Sequence, residues 1–233
     1  MFNHPYRKRP VADVIRDIQA IQQIQKRPFV EFADDNTFVD HAWGKELCRA
    51  LIPHKVKWFT ETDISVSEEA ELLELMREAR CKQVLIGLES PEQSALEGIE
   101  LRANFKSRYA GDMKQAVRRI QSHGITVNGC FILGLDSQTT DIFQQVYDFA
   151  VAAELWEVQI TVLTPFPGTP LYERLLREGR ILEPGRWDLC TLFDVNFQPK
   201  QMSVDALRHG IYWLAEKLYT AQAIQEPRKS FLN

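Results

Sequence analysis

The hydrophobic positions of this chain change period repeatedly, from 3.6 residues to two and back. Pro10 opens a segment in which Val11, Val14, Ile15, Ile18 and Ile21 share one stripe, and this spacing predicts a helix. Phe29–Ala33 then predicts a short strand. Asp40 is placed to cap a helix that buries Trp43, Leu47 and Leu51. Val56–Thr62 predicts the next strand. Ser67 is expected to cap a helix, with Glu68 and Glu69 in the first turn where the helix dipole favours them. Val84–Glu89 predicts a strand. Tyr109, Met113, Ala116, Val117 and Ile120 form a helical stripe closed by Gly124. Further on, Ile125–Leu135 and Val158–Leu163 predict strands, and Ile142–Ala153 and Leu171–Arg177 predict helices.

The predicted order is therefore one helix followed by five strand–helix units. Strands this short and this apolar on both faces predict a parallel sheet covered by helices. The fold class is α/β, either an open doubly wound sheet or a partial (β/α) barrel, joined by right-handed crossovers. No G-x-G-x-x-G follows a strand, which disfavours a dinucleotide fold. The first helix has an apolar stripe but only nine residues before it, mostly polar or basic, so a strand is expected to be missing upstream. After Gly179 the period is lost, and Glu183–Pro199 is rich in aromatic residues and proline. Ser203 then caps a last amphipathic helix carrying Leu207, Ile211, Leu214 and Leu218. The expected organisation is a partial barrel over 1–182 and a C-terminal extension over 183–233.

Composition narrows the class. At 45% hydrophobic and 26% charged residues the chain is neither disordered nor fibrous. The apolar stretch Val127–Leu135 is broken by Asn128, Gly129 and Gly134, so no transmembrane segment is expected. The polar, basic start is not a secretory signal, and a cytoplasmic protein is expected. A net charge of −4 argues against nucleic acid as a partner. The four cysteines, at 48, 81, 130 and 190, lack the short spacing of a metal knuckle or redox pair and read as free thiols.

In parallel α/β folds ligands bind beyond the carboxyl ends of the strands. Those ends carry Asp34, Asp35 and Asn36; Glu61, Thr62 and Asp63; Glu89 and Ser90; Asn128, Gly129, Gly134 and Asp136; and Thr164 and Pro165. Carboxylates at three successive ends can accept hydrogen bonds from an amino group and ribose hydroxyls, or can hold a hard cation such as magnesium. Gly129 and Gly134 mark either a flat ligand or close packing. The five histidines show no ligand or triad spacing.

Taken in order, Phe32-Ala33-Asp34-Asp35-Asn36, Gly87-Leu88-Glu89-Ser90, Gly129-Cys130-Phe131-Ile132-Leu133-Gly134-Leu135-Asp136, and Leu163-Thr164-Pro165-Phe166-Pro167-Gly168-Thr169-Pro170 resemble the radical S-adenosylmethionine enzymes. The nearest branch is the hopanoid-methylase-like one that carries an upstream cobalamin-binding domain. The resemblance implies a TIM-barrel-like partial barrel. It also implies a [4Fe–4S] cluster on a CxxxCxxC loop that cleaves S-adenosylmethionine to a 5′-deoxyadenosyl radical, with methyl transfer as a guess. By the same resemblance Asp34 and Asp35 meet the methionine amino group, and Glu89 and Ser90 face ribose or methionine. Ile132 to Gly134 and Leu163 to Pro165 line adenine, while Glu61 or Thr62 completes the rim. Asn128 is counted with these cofactor-binding candidates, and the catalytic residues are left unknown. No CxxxCxxC stands in this sequence. The expectation is a chain that starts just after the cluster loop, with the cluster and any cobalamin held only by a full-length form. The substrate is expected to be small or lipid-like. Self-association through the open barrel edge is expected too. The alternatives are a non-catalytic barrel binding a nucleoside-like ligand or partner, and a divalent-metal-dependent barrel enzyme.

Overall fold

The computed structural model of the protein describes residues 7–92 and 112–221. Tyr109, expected on a helical stripe, lies outside them. Five strands form one parallel sheet: β1 (Phe29–Phe32), β2 (Lys57–Thr62), β3 (Cys81–Glu89), β4 (Thr126–Leu133) and β5 (Glu157–Val162). Around them run α1 (Val11–Ile24), α2 (His41–Leu51), α3 (Ala70–Glu78), α4 (Met113–Ser122), α5 (Ile142–Ala152), α6 (Pro170–Arg177) and α7 (Val204–Leu218). The strands lie side by side in the order β1-β2-β3-β4-β5. A doubly wound sheet reverses its order at a switch point. Here it never reverses, so the sheet winds one way, as a partial barrel does, and one face is left for an interior.

The two faces of the sheet differ in composition. Trp58, Val84, Ile86, Leu88, Val127 and Phe131 are fully buried against the helices. Paired residues of parallel strands point the same way, so the register Glu31↔Phe59, Glu61↔Leu85↔Asn128↔Glu157 and Gly87↔Cys130↔Gln159 defines the opposite, inner face. That face is half-exposed and polar in several rows. The expectation of strands apolar on both faces is corrected: only the helix side is a continuous core, because the inner face lines an open interior.

Local rules account for the helix boundaries. Asp40 accepts from Trp43 N at 3.1 Å and starts α2; Thr169 and Ser203 do the same for α6 and α7. Ser67 does not cap. Asp63 accepts from Ser65 N at 2.8 Å and starts a 3₁₀ turn, Ile64–Glu68, which Val66 and Ile64 pin into the core. Ser67 is thereby buried before the α-helix begins at Ala70.

The segment after α6 folds back on the body. Ile181 bridges Phe197 antiparallel, and Leu182 N donates to Asn196 O at 3.2 Å. Phe197 and Leu207 reach the turn after β4, where a Cβ on Gly134 would sit 2.7 Å from the Phe197 ring. No helix among the described residues is long and apolar enough to cross a membrane.

Candidate active site

The carboxyl ends of the strands are shaped by three hydrogen-bonded clips. The first holds the loop after β1 to the end of β2. Thr37 N donates to Glu61 O at 3.1 Å, and the hydroxyls of Thr37 and Thr60 meet at 2.5 Å. Asn36 donates to Asp63 at 2.6 Å and accepts from Thr62 Oγ1 at 3.3 Å and Phe38 N at 3.2 Å. With Asn36 and Thr37 committed to the scaffold, Asp34 and Asp35 remain exposed. They stand at one end of a cavity of about 750 Å³ between this loop and α1, which Arg7, Lys8 and Ile18 also line.

The second clip lies at the end of β3. Glu89 has a φ of +63°, and Ser90 N donates back to Leu88 O across it at 2.8 Å. A non-glycine residue in this region is strained, and such strain gathers at functional sites. The register against β4 slips by one residue at the same point.

The third clip is Gln138, fully buried after β4. Its Oε1 accepts from Gly134 N at 2.8 Å and Leu135 N at 3.0 Å. Its Nε2 donates to Ile132 O at 3.0 Å and to Ser90 Oγ at 3.4 Å. One side chain thus fixes the Ile132–Leu135 backbone and joins it to the end of β3.

The structure sorts the candidate residues. Glu61, Asn128 and Ile132 lie on the inner face, and Asp34, Asp35 and Glu89 stand at the rim beside it. Leu163 and Pro165 follow β5 on the same rim, and Leu163 N donates to Leu133 O at 2.9 Å. Thr62 and Ser90 are buried on the helix side, with their hydroxyls spent on Asn36 and Gln138. Asn128 is two residues into β4, below the rim, and its Oδ1 is buried without a hydrogen-bond partner among the described residues. At Gly129 an added Cβ would meet Leu88 at 2.8 Å and Leu155 at 2.9 Å, so both candidate glycines face packed side chains.

Electrostatics mark the β1–β2 side of the interior. Burial, then the charges of Asp35 and Glu31, push the Glu61 carboxyl above the usual range. Three carboxylates sharing one field favour a cation between them. Among the described residues no trio of His, Cys, Asp or Glu is placed to hold a metal ion. The thiols fit a cluster no better. Burial pushes Cys48 up to about 12 and also pushes Cys81 up, Cys130 is on the inner face, and Cys190 lies beyond α6.

No family model matches the chain. It is 25% identical over 228 residues to the bacteriochlorophyllide d C-12(1)-methyltransferase of Chlorobaculum tepidum, which covers 97% of this chain and 48% of the relative. It is 30% identical over 179 residues to the hopanoid C-2 methylase of Rhodopseudomonas palustris, covering 72% and 32%. Its fold matches TsrM of Kitasatospora setae, a radical S-adenosylmethionine methyltransferase solved with cobalamin and a [4Fe–4S] cluster, at a TM-score of 0.62 and 16% identity, covering 92% and 42%. The chain is similar in sequence to methyltransferases and cyclases and in fold to radical S-adenosylmethionine enzymes. Its five strands match the partial barrel of those structures. The chain spans about half the length, or less, of these relatives. Sequence reasoning passed over Gln138 as a loop polar, and only its burial reveals it. Asn36, expected at the strand ends, proves to be part of the scaffold through its hydrogen bonds.

Proposed function

We propose that this chain supplies the S-adenosylmethionine-binding wall of a radical methyltransferase-like enzyme acting on an apolar carbon skeleton, with residues 1–182 as the barrel and 183–233 as a covering extension. One observation carries the reading: Asp35, Glu31 and Glu61 gather negative charge at the β1–β2 side of the sheet's open inner face. S-adenosylmethionine brings an ammonium, a sulfonium and two ribose hydroxyls, which suit such acceptors. In this reading Asp34 and Asp35 take the ammonium, Glu61 and Glu89 the sulfonium side and ribose, and Ile132, Leu163 and Pro165 flank adenine. The unpartnered Asn128 Oδ1 adds an acceptor deeper in the interior. The names of two relatives, which point to carbon-rich ring substrates, a bacteriochlorophyllide and a hopanoid, support the substrate class.

The cluster's thiolates are assigned to a source other than these four cysteines, since two are deeply buried and none neighbours another in sequence. Cobalamin is likewise assigned elsewhere: none of the five strands carries a histidine, and His41, His54 and His123 are engaged with Ser65, Gln22 and Arg119 O. No chemical step is derived through either group.

Calorimetric titration of the purified chain with S-adenosylmethionine tests the proposal. Saturable one-to-one binding is expected, weakened about tenfold or more in Asp35→Asn/Glu61→Gln. Affinity should rise with pH through the Glu61 titration, because the sulfonium cation and ribose hydroxyls interact with the ionised carboxyl, and that carboxyl ionises above the usual range. Absence of binding, or binding indifferent to the double substitution, overturns the reading. Folding is not the issue in this variant, since neutralising Glu61 relieves like-charge repulsion.

A further inference from the structure

We infer that the amino ends of the strands carry an anion site that takes the linked phosphate groups of a small oligophosphate ligand. Cations from separate parts of the sequence converge there. Lys26 and Arg27 precede β1, Lys55 and Lys57 stand at the entry of β2, and Arg80 precedes β3. All of them line one cavity of about 570 Å³, with His54 beside them and no carboxylate among the lining residues. The 6 residues of β2 rise about 3.3 Å each, so this cavity lies roughly 20 Å from the strand ends that carry Glu61 and Asp63. The grouping is not the by-product of a basic chain, since the net charge is −4. Other groups of cations have carboxylates among them. In the cavity beside α1, Lys8 and Arg9 pair with Asp40 and Asp17. Lys45 and Arg49 share Glu71, and Arg174, Arg180 and Lys200 share Asp136. Among the described residues, none of the cations at the amino ends forms an ion pair.

The frame that holds these cations is fixed and strained. Lys55 and Arg80 have φ of +54° and +66°, a region that costs a non-glycine residue free energy and that gathers at functional sites. Arg80 Nη1 donates to Lys55 O at 2.8 Å, which locks the two turns together. Gln22 Nε2 donates to His54 O at 2.9 Å, which ties the same turn to α1. Arg80 is half-buried, and its planar guanidinium presents a fork that matches phosphate oxygens, while the lysines add point charge. Like charges held in one cavity repel, and a chain of two or three phosphates spans several of them and offsets that repulsion. Shape selects a small ligand. A cavity of this volume is the size of a small-molecule site. A nucleic-acid backbone needs instead an extended basic face, which a chain of net charge −4 is poorly suited to supply.

Calorimetric titration of the full chain with sodium tripolyphosphate is the test, in about 0.15 M salt, where charges more than about 8 Å apart are screened. Saturable one-to-one binding is expected, weakened about tenfold or more in Lys26→Gln/Lys57→Gln. Both lysines are exposed and make no hydrogen bond among the described residues, so the melting temperature without ligand should hold or rise. Uridine triphosphate as a second titrant separates two sources of the same chemistry. Equal affinity assigns the phosphate chain alone, and tighter binding that the double substitution weakens assigns a nucleotide. Absence of saturable binding, tripolyphosphate binding that ignores the double substitution, or equal displacement by sulfate at matched ionic strength overturns the proposal. So does a DNA duplex that binds through the same lysines more tightly than tripolyphosphate.

Discussion

Removing the Gln138 amide strands three polar groups at once, Gly134 N, Leu135 N and Ile132 O, and leaves Ser90 Oγ with Glu92 N alone. A buried group left without its partner costs about 1–3 kcal/mol. Gln138→Ala should therefore lower the unfolding free energy by roughly 3 kcal/mol in urea titration, after allowing for water entering the gap. Gln138→Glu keeps the two accepted bonds and loses the donated ones, so a smaller loss is expected. Equal losses in the two variants would mean that packing, and not the hydrogen bonds, is what Gln138 supplies. This residue also shows where sequence reading stops. A glutamine four residues past a glycine looks like solvated loop, and only its burial, with two adjacent N–H groups facing it, makes it structural. Asp34 and Asp35 were legible as strand-end residues, and the structure leaves both exposed in the loop after β1. Thr62 and Ser90 were legible as strand-end residues, but their direction was not, since alternation sends one neighbour inward and the next toward the helices.

At the scale of elements, period and capping located most of the structure. The stripes of α1, α2, α4 and α7 and the caps Asp40 and Ser203 are where the pattern places them. The pattern does not say how closely two helices approach. Gly210 sets that distance for α7 on α5: a Cβ there would lie 2.0 Å from the Phe143 ring. Gly210→Ala raises helix propensity by about 1 kcal/mol. It also drives a methyl into a buried ring, and overpacking of this kind costs about 1–3 kcal/mol. The expected net effect is a lower melting temperature. A higher one would show that Phe143 can turn aside and that the helices are not held by this contact. Ser67 is the opposite lesson. A plausible cap was overridden because Asp63, four residues earlier, started a tighter turn and apolar Ile64 and Val66 locked it.

Across the whole molecule, sheet order was the least legible feature. Alternating strands and helices fit both a doubly wound sheet and a barrel. The deciding fact, an order that never reverses, depends on long-range pairing. The body and the covering extension are then joined by an ion-pair hub. Asp136, just past β4, faces Arg174 on α6, Arg180 after α6 at 2.9 Å, and Lys200 in the extension at 3.2 Å; Arg180 also meets Glu178 at 2.9 Å. Burial works to raise the Asp136 carboxyl, but its hydrogen bonds with Arg174, Arg180 and Lys200 outweigh it and hold the group below its ordinary 3.8. A carboxyl depressed in the folded state binds protons more readily when unfolded. Its contribution is therefore complete above about pH 4 and is lost as pH falls through the folded value. Arg174 and Lys200 are more than a third exposed, so water screens their share, whereas the Arg180 side chain is only 10% exposed. Asp136→Asn leaves that guanidinium poorly compensated and should cost about 1–3 kcal/mol at pH 7. It should also flatten the loss of stability between pH 4 and pH 2, which urea unfolding at stepped pH values measures. If the variant matches wild type at pH 7 and keeps the same acid slope, the extension is held by the buried Phe197 and Leu207 contacts alone, and the hub is solvated charge.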